Sequence, residues 1–148
     1  MTTATEHRRP SVAARRFGYG IAATINVVLL YVVNVRPGWD AIPFLTPDTS
    51  TIIPLVNASL IVGLIVDAAQ SVRDPAWLVA LGGLATTSIG LAVLTRTWQV
   101  FPFDFGDTSF NWALLTRVGL AACLAGALIG LIAQAVTLVR TAARAHPE

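Results

Sequence analysis

The sequence predicts an all-α, polytopic membrane protein: four transmembrane helices in an up-down bundle, arranged as two pseudo-repeated hairpins. Three observations predict it. The 148-residue chain is 55% hydrophobic and 12% charged, with a mean hydropathy of +0.68, which leaves too little polar surface to wrap a globular core in water. Four segments are long and apolar enough to cross roughly 30 Å of hydrocarbon, a task for about 20 residues at about 1.5 Å rise each. Finally, "WDAIPFLTPDTS" at 39–50 returns as "WQVFPFDFGDTS" at 98–109, 59 residues further on.

A basic tail, residues 1–16, precedes a transmembrane domain at 17–140. Span one, 17–35, stops at Arg36-Pro37-Gly38, where proline and glycine break the helical pattern. The preceding "RRPSVAARRF" has the basic character of a secretion signal. The apolar run after it is longer than a usual signal core and lacks a small-residue cleavage site, so span one is read as a retained anchor. Span two covers 51–72 and ends in Arg73-Asp74-Pro75. There Asp74 suits a helix cap and Pro75 a first helical position, where a missing N–H costs nothing. A tight turn therefore leads into span three, 76–95. Span four covers 110–139, and 141–148 is a second polar tail.

Orientation follows from the arginines, since basic residues flanking spans are retained in the cytoplasm. Arg8, Arg9, Arg15, Arg16, Arg73, Arg140 and Arg144 collect on one side, against Arg36, Arg96 and Arg117 on the other. Both termini are thus expected inside a plasma (inner) membrane. Trp39, Trp98 and Trp112 fall at the outer interface and Trp77 at the inner one, the pattern of an aromatic belt. All ten basic residues are Arg, a coding bias that hints at bacterial origin.

In the repeated stretch Trp39 matches Trp98, Pro43 matches Pro102, Phe44 matches Phe103, and Asp48-Thr49-Ser50 matches Asp107-Thr108-Ser109. Each copy leaves an odd-numbered span and enters an even-numbered one on the same side. The two hairpins therefore share one orientation, like parallel repeats about an axis along the membrane normal. Aromatic rings suit headgroup depth, and Asp with Thr or Ser can accept from the orphan N–H groups that open the next helix. The alternative makes the loops a paired outer-face interaction surface, with Trp39, Phe44, Asp48, Trp98, Phe103 and Asp107 facing a cation or a partner.

Inside the spans, small residues form stripes at four-residue spacing: Gly82, Thr86 and Gly90 in span three, and Ala122, Gly126 and Gly130 in span four. Such stripes let membrane helices approach closely. Ser59, Gly63 and Asp67 share a face of span two. Asn26, Asn57 and Gln134 are intramembrane amides, suited to interhelical hydrogen bonds or to lining a substrate path. Asp67 lies about one and a half turns before the inner end of span two, within reach of Arg15, Arg16 or Arg73. It is read as an ion pair there, or else as a proton or cation site. Arg117 mirrors it at the outer end, snorkelling or pairing with an outer-loop aspartate.

Enzyme chemistry finds little material. His7 and His146 both lie in the polar tails, so paired-histidine haem ligation inside the bundle is excluded and a histidine zinc site is not expected. Cys123 is the sole cysteine and lies in an apolar run, and with no lysine there is no phosphate-binding loop of the glycine-lysine type. "DFG" at 104–106 matches a kinase signature with none of its companions. No catalytic residue, cofactor, metal or nucleic-acid partner is expected.

The order of spans, the Trp-aromatic-Pro-Phe loop and the second span "IIPLVNASLIVGLIVD" resemble small, uncharacterised four-span bacterial integral membrane proteins. That resemblance implies a bacterial plasma-membrane location and carries no activity with it. The expected function is a non-enzymatic accessory, scaffold or assembly subunit in the lipid bilayer, binding other membrane proteins or itself as a homo-oligomer. The alternative is a small homo-oligomeric transporter or channel using Asp67 and Asn26.

Overall fold

The computed structural model describes residues 11–73 and 75–144. The expected cap Asp74, the tail arginines Arg8 and Arg9, and both histidines lie outside them. Four helices account for most of the chain: α1 Val12–Asn34, α2 Ile53–Val72, α3 Ala76–Val100 and α4 Trp112–Arg144. All four are long and apolar enough to span a membrane, with mean hydropathies from 1.6 to 2.2. The protein is an all-α four-helix bundle of the multi-pass membrane class.

Local chemistry sets the helix ends. Ser11 starts α1 five residues before the sequence estimate, its side chain accepting from Ala14 N at 3.2 Å. At the other end the helix stops ahead of Pro37. Helix α3 runs past residue 95 to Val100 and takes Trp98 into its last turn. Nothing breaks its pattern before Pro102, and Phe101 closes it in the left-handed conformation at φ 43°. At the far end, α4 stays helical through Arg144, beyond the expected span.

Packing follows chain order. Helix α1 lies against α2, α2 against α3 and α3 against α4, whereas α1 and α4 form no comparable contact. The bundle is therefore open along one side, with α2 and α3 as floor and α1 and α4 as walls. Little is shielded from the surroundings: Ile52, 4% exposed, is the buried aliphatic side chain among the described residues. Lipid is as apolar as leucine, so cohesion rests on close backbone approach and polar contacts between helices.

Glycines mark the close approaches. A Cβ on Gly82 of α3 would stand 2.5 Å from Val66 Cγ1 and 2.6 Å from Gln70 Nε2 of α2, and one on Gly83 would stand 3.2 Å from the Gln134 carboxamide of α4. Gly63 of α2 plays the same part beneath Asn26 of α1, at 3.0 Å.

At the loop end the two similar stretches meet. Leu45 and Phe103 form an antiparallel bridge, flanked by Thr46 N donating to Pro102 O at 3.0 Å and Asp104 N to Phe44 O at 2.9 Å. Their local structures differ even so. Trp39–Ala41 and Pro47–Thr51 are 3-10 turns, whereas the second copy places Trp98 in a helix and 104–111 in irregular chain.

Candidate functional site

The sequence-selected polar residues fall into two regions, one at each end of the bundle. Toward the end that carries both termini, all four helices line a cleft of about 750 Å³ on the open side. Helix α1 contributes Arg15 and Tyr19, and α2 contributes Val66, Asp67 and the buried Gln70. From α3 come Gly83 and Thr86 among others, and from α4 Ala133, Gln134 and Thr137. These positions recur at three- and four-residue steps along each helix, so a single face of each supplies the lining.

Asp67 is half-buried on the cleft wall. Its Oδ2 accepts a hydrogen bond from Asn26 Nδ2 at 3.0 Å, and the Asn26 amide lies directly over Gly63, one turn along α2. A side chain at residue 63 would occupy the space through which Asn26 reaches Asp67. The hydrogen bond that Asp67 makes is thus to an amide, and Arg15, one of the three arginines weighed as its ion-pair partner, lines the same cleft. Arg16 instead donates to Val72 O at 3.1 Å, satisfying a carbonyl that the end of α2 leaves open. Two lone-pair sites per carboxylate oxygen mean that one amide donor does not saturate Asp67.

Gln134 is packed over Gly83, and its Oε1 is buried without a hydrogen-bond partner. Thr86 is occupied as a donor, its hydroxyl reaching Gly82 O at 2.9 Å and Gly83 O at 3.1 Å, and its oxygen retains acceptor capacity. Among the described residues the cleft thus holds a carboxylate and a threonine oxygen as acceptors, while the Gln134 oxygen is closed off behind its wall. Among the described residues no group of three His, Cys, Asp or Glu side chains converges as a metal site would require.

Asn57, nearer the loop end, belongs to a separate cluster. It exchanges two hydrogen bonds with Asn34 of α1, each 2.8 Å. Asn34 escaped sequence reasoning because it sits at the end of span one. The available signal was spacing, since Asn34 follows Asn26 by eight residues and so shares its helix face. Gln70 and Tyr19 were also missed; Gln70 is one turn from Asp67, which places both on one face.

The loop end gathers aromatic rings. Phe103 stacks on Phe105 at 6.0 Å, Phe105 on Phe44 at 5.8 Å, and Phe101 meets Phe103 edge-on at 5.4 Å. The Arg117 guanidinium lies 4.5 Å from the centre of the Phe101 ring, a cation–π contact where the sequence reading offered snorkelling or an outer-loop aspartate. Trp39 and Phe103 are half-buried, while Phe44, Asp48, Trp98 and Asp107 are exposed.

Nor do the loop aspartates cap the following helices. Helix α2 has no side-chain cap; the 3-10 turn ahead of it supplies a carbonyl instead, Thr49 O accepting from Ile52 N at 2.9 Å. In the second copy Asn111 takes the capping role, its Oδ1 accepting from Leu114 N at 2.9 Å. Asp104, for its part, accepts from Gly106 N at 3.0 Å within the loop. Matching letters in the two copies therefore do different work.

Comparison with protein-family models, curated proteins and solved structures found no match to this chain.

Proposed function

We propose that the protein is a non-enzymatic accessory or assembly subunit of a bacterial plasma membrane, binding other membrane proteins through the face of α4. One observation carries this reading. Gly82 and Gly83 are filled by neighbouring helices of the same chain, whereas among the described residues no atom outside the local α4 backbone lies within 4 Å of a Cβ placed on Gly119, Gly126 or Gly130. With Ala122, these residues recur at three- and four-residue steps and form a shallow track along α4 that the chain's own helices leave vacant. Tracks of this kind allow a second helix to approach closely. Exposed Cys123 lies beside Ala122 on that track. The arginine distribution supports a cytoplasmic placement of both termini, and the repeated stretch supports descent of the two hairpins from one unit.

Cys123 supplies the test. Oxidative or bifunctional thiol cross-linking in native membranes is expected to give one discrete adduct through this cysteine, and native mass spectrometry the matching assembly. Gly126→Ile is expected to abolish both while the purified protein stays folded, because its side chain meets nothing within the chain. Monomer throughout, with no adduct, overturns the proposal.

A second reading, a small oligomeric transporter, is favoured by the cleft, which puts Asp67 beside an apolar path lined from all four helices. Coupled flux through proteoliposomes that Asp67→Asn abolishes would select it.

A further inference from the structure

We infer that the pocket where the ends of α1, α2 and α3 meet is a binding site for the phosphodiester headgroup of an anionic phospholipid. This goes beyond an accessory role, and the residues involved are separate from both the α4 track and the Asp67 cleft.

The argument starts from Arg16. Its Nη2 donates to Val72 O at 3.1 Å, which pins a long side chain of α1 against the last residue of α2. Arg73 is the next residue and caps that helix. Both arginines are exposed, and both line one pocket of about 730 Å³. A guanidinium carries five N–H donors in a planar fork, so the single bond to Val72 O leaves Arg16 most of its donor capacity. A phosphate group has the geometry that such a fork matches. Because the carbonyl already holds the Arg16 side chain in place, part of the ordering that binding requires is done before a ligand arrives.

Position and walls make the occupant a lipid. Arg16 lies in the second turn of α1, Arg73 ends α2 and Trp77 opens α3, so the polar groups gather where the spans leave the hydrocarbon. Trp77 is 56% exposed and lines the same pocket, an amphipathic ring with an N–H donor suited to headgroup depth. Ala69, one turn before Arg73, joins Val72 and Leu78 as apolar wall. A soluble phosphate ester leaves that wall uncovered, whereas a phospholipid lays glycerol and acyl carbons against it. Basic pockets between membrane helices are a setting in which anionic headgroups bind. Charge agrees: Arg16 and Arg73, counted against Asp74 beside them in the sequence, leave one positive charge in excess, which complements the single negative charge of a phosphodiester.

The test is native mass spectrometry of the full chain released from detergent micelles, titrated with palmitoyl-oleoyl phosphatidylglycerol and with phosphatidylcholine of the same acyl chains. One phosphatidylglycerol is expected to bind at least about tenfold more tightly than phosphatidylcholine, the scale of one charge-assisted hydrogen bond. Arg73→Gln leaves the Arg16–Val72 contact in place and is expected to weaken phosphatidylglycerol binding by about tenfold, and Arg16→Gln to do the same. Arg140→Gln removes an equal charge from the same end of the bundle, outside the pocket, and is expected to leave the affinity unchanged. Equal affinity for the two lipids overturns the inference. So do losses in the two pocket variants no larger than in Arg140→Gln, which would reduce the effect to the general attraction of arginine for an anionic surface. Glycerol phosphate separates the lipid from a soluble phosphate ester: binding as tight as that of phosphatidylglycerol overturns the lipid assignment, and binding at least about tenfold weaker supports it. None of these results touches the Cys123 cross-link, so the accessory reading stands or falls separately.

Discussion

A methyl group on Gly82 would press on Val66 and Gln70 at 2.5 and 2.6 Å, whereas one on Gly126 would meet no neighbouring helix within 4 Å among the described residues. The same residue type therefore has opposite sensitivities at the two sites. Gly82→Val is expected to destabilise the protein by about 1–3 kcal/mol, the usual cost of overpacking a tight contact. Gly126→Ala should be neutral or stabilising by up to about 1 kcal/mol through helix propensity. Reversible unfolding in mixed micelles measures both. The paired amides Asn34 and Asn57 give a second residue-scale expectation. A double-mutant cycle with leucine at each position should return a coupling of about 0.6 kcal/mol, at most roughly 1.7, because separated helices in a membrane find other partners. Zero coupling would mean that the reciprocal bonds are not formed in the bilayer.

Among the elements, the α3–α4 connection depends on contacts that charge counting does not reveal. Arg117, in the second turn of α4, spends its guanidinium on the ring of Phe101, the left-handed residue that ends α3. Side chains beyond glycine rarely hold that conformation unless their surroundings fix it. The ring is held from two sides, by Arg117 and by Phe103. Arg117→Met keeps the stem of the side chain and removes the charge. It is expected to cost about 0.5–1 kcal/mol and to raise hydrogen exchange at residues 101–106, with the cleft unaffected. Unchanged exchange would show that the loop holds Phe101 without the cation.

For the whole molecule the decisive feature is that α1 and α4 form no contact comparable to those of successive helices. Exact twofold equivalence of two hairpins would match the α2–α3 contact with an equal α4–α1 contact, and only the first is extensive. An open side results, with a polar cleft toward the termini and the vacant track of α4 above it. Orientation in the bilayer is also a property of the whole chain. In a Cys123→Ala background, Asp107→Cys is expected to react with a membrane-impermeant maleimide added to intact cells, and Arg140→Cys only after lysis. The reverse pattern would invert the proposed topology. How much was legible beforehand differs between fold and site. Pro37 and Pro75 mark helix ends that were read one residue at a time, whereas the ends at Ser11 and ahead of Pro102 each lie five residues beyond the sequence estimate. Asp67 was visible as an unusual carboxylate, but its partner was not, because Asn26 lies 41 residues away and reaches it only over Gly63.

By itself the sequence determined the number of spans, their approximate ends and the pairing of successive helices into hairpins. All of these follow from hydrophobic length and from breaker and cap chemistry within a few neighbouring residues. Tertiary structure alone decided which glycines are filled and which stand vacant, that Asp67 accepts from an amide, that Arg117 lies over a ring, and that the Gln134 oxygen is buried without a partner. Helical periodicity puts residues on a face, but several neighbours could occupy that face, and only the packing of all four helices selects among them.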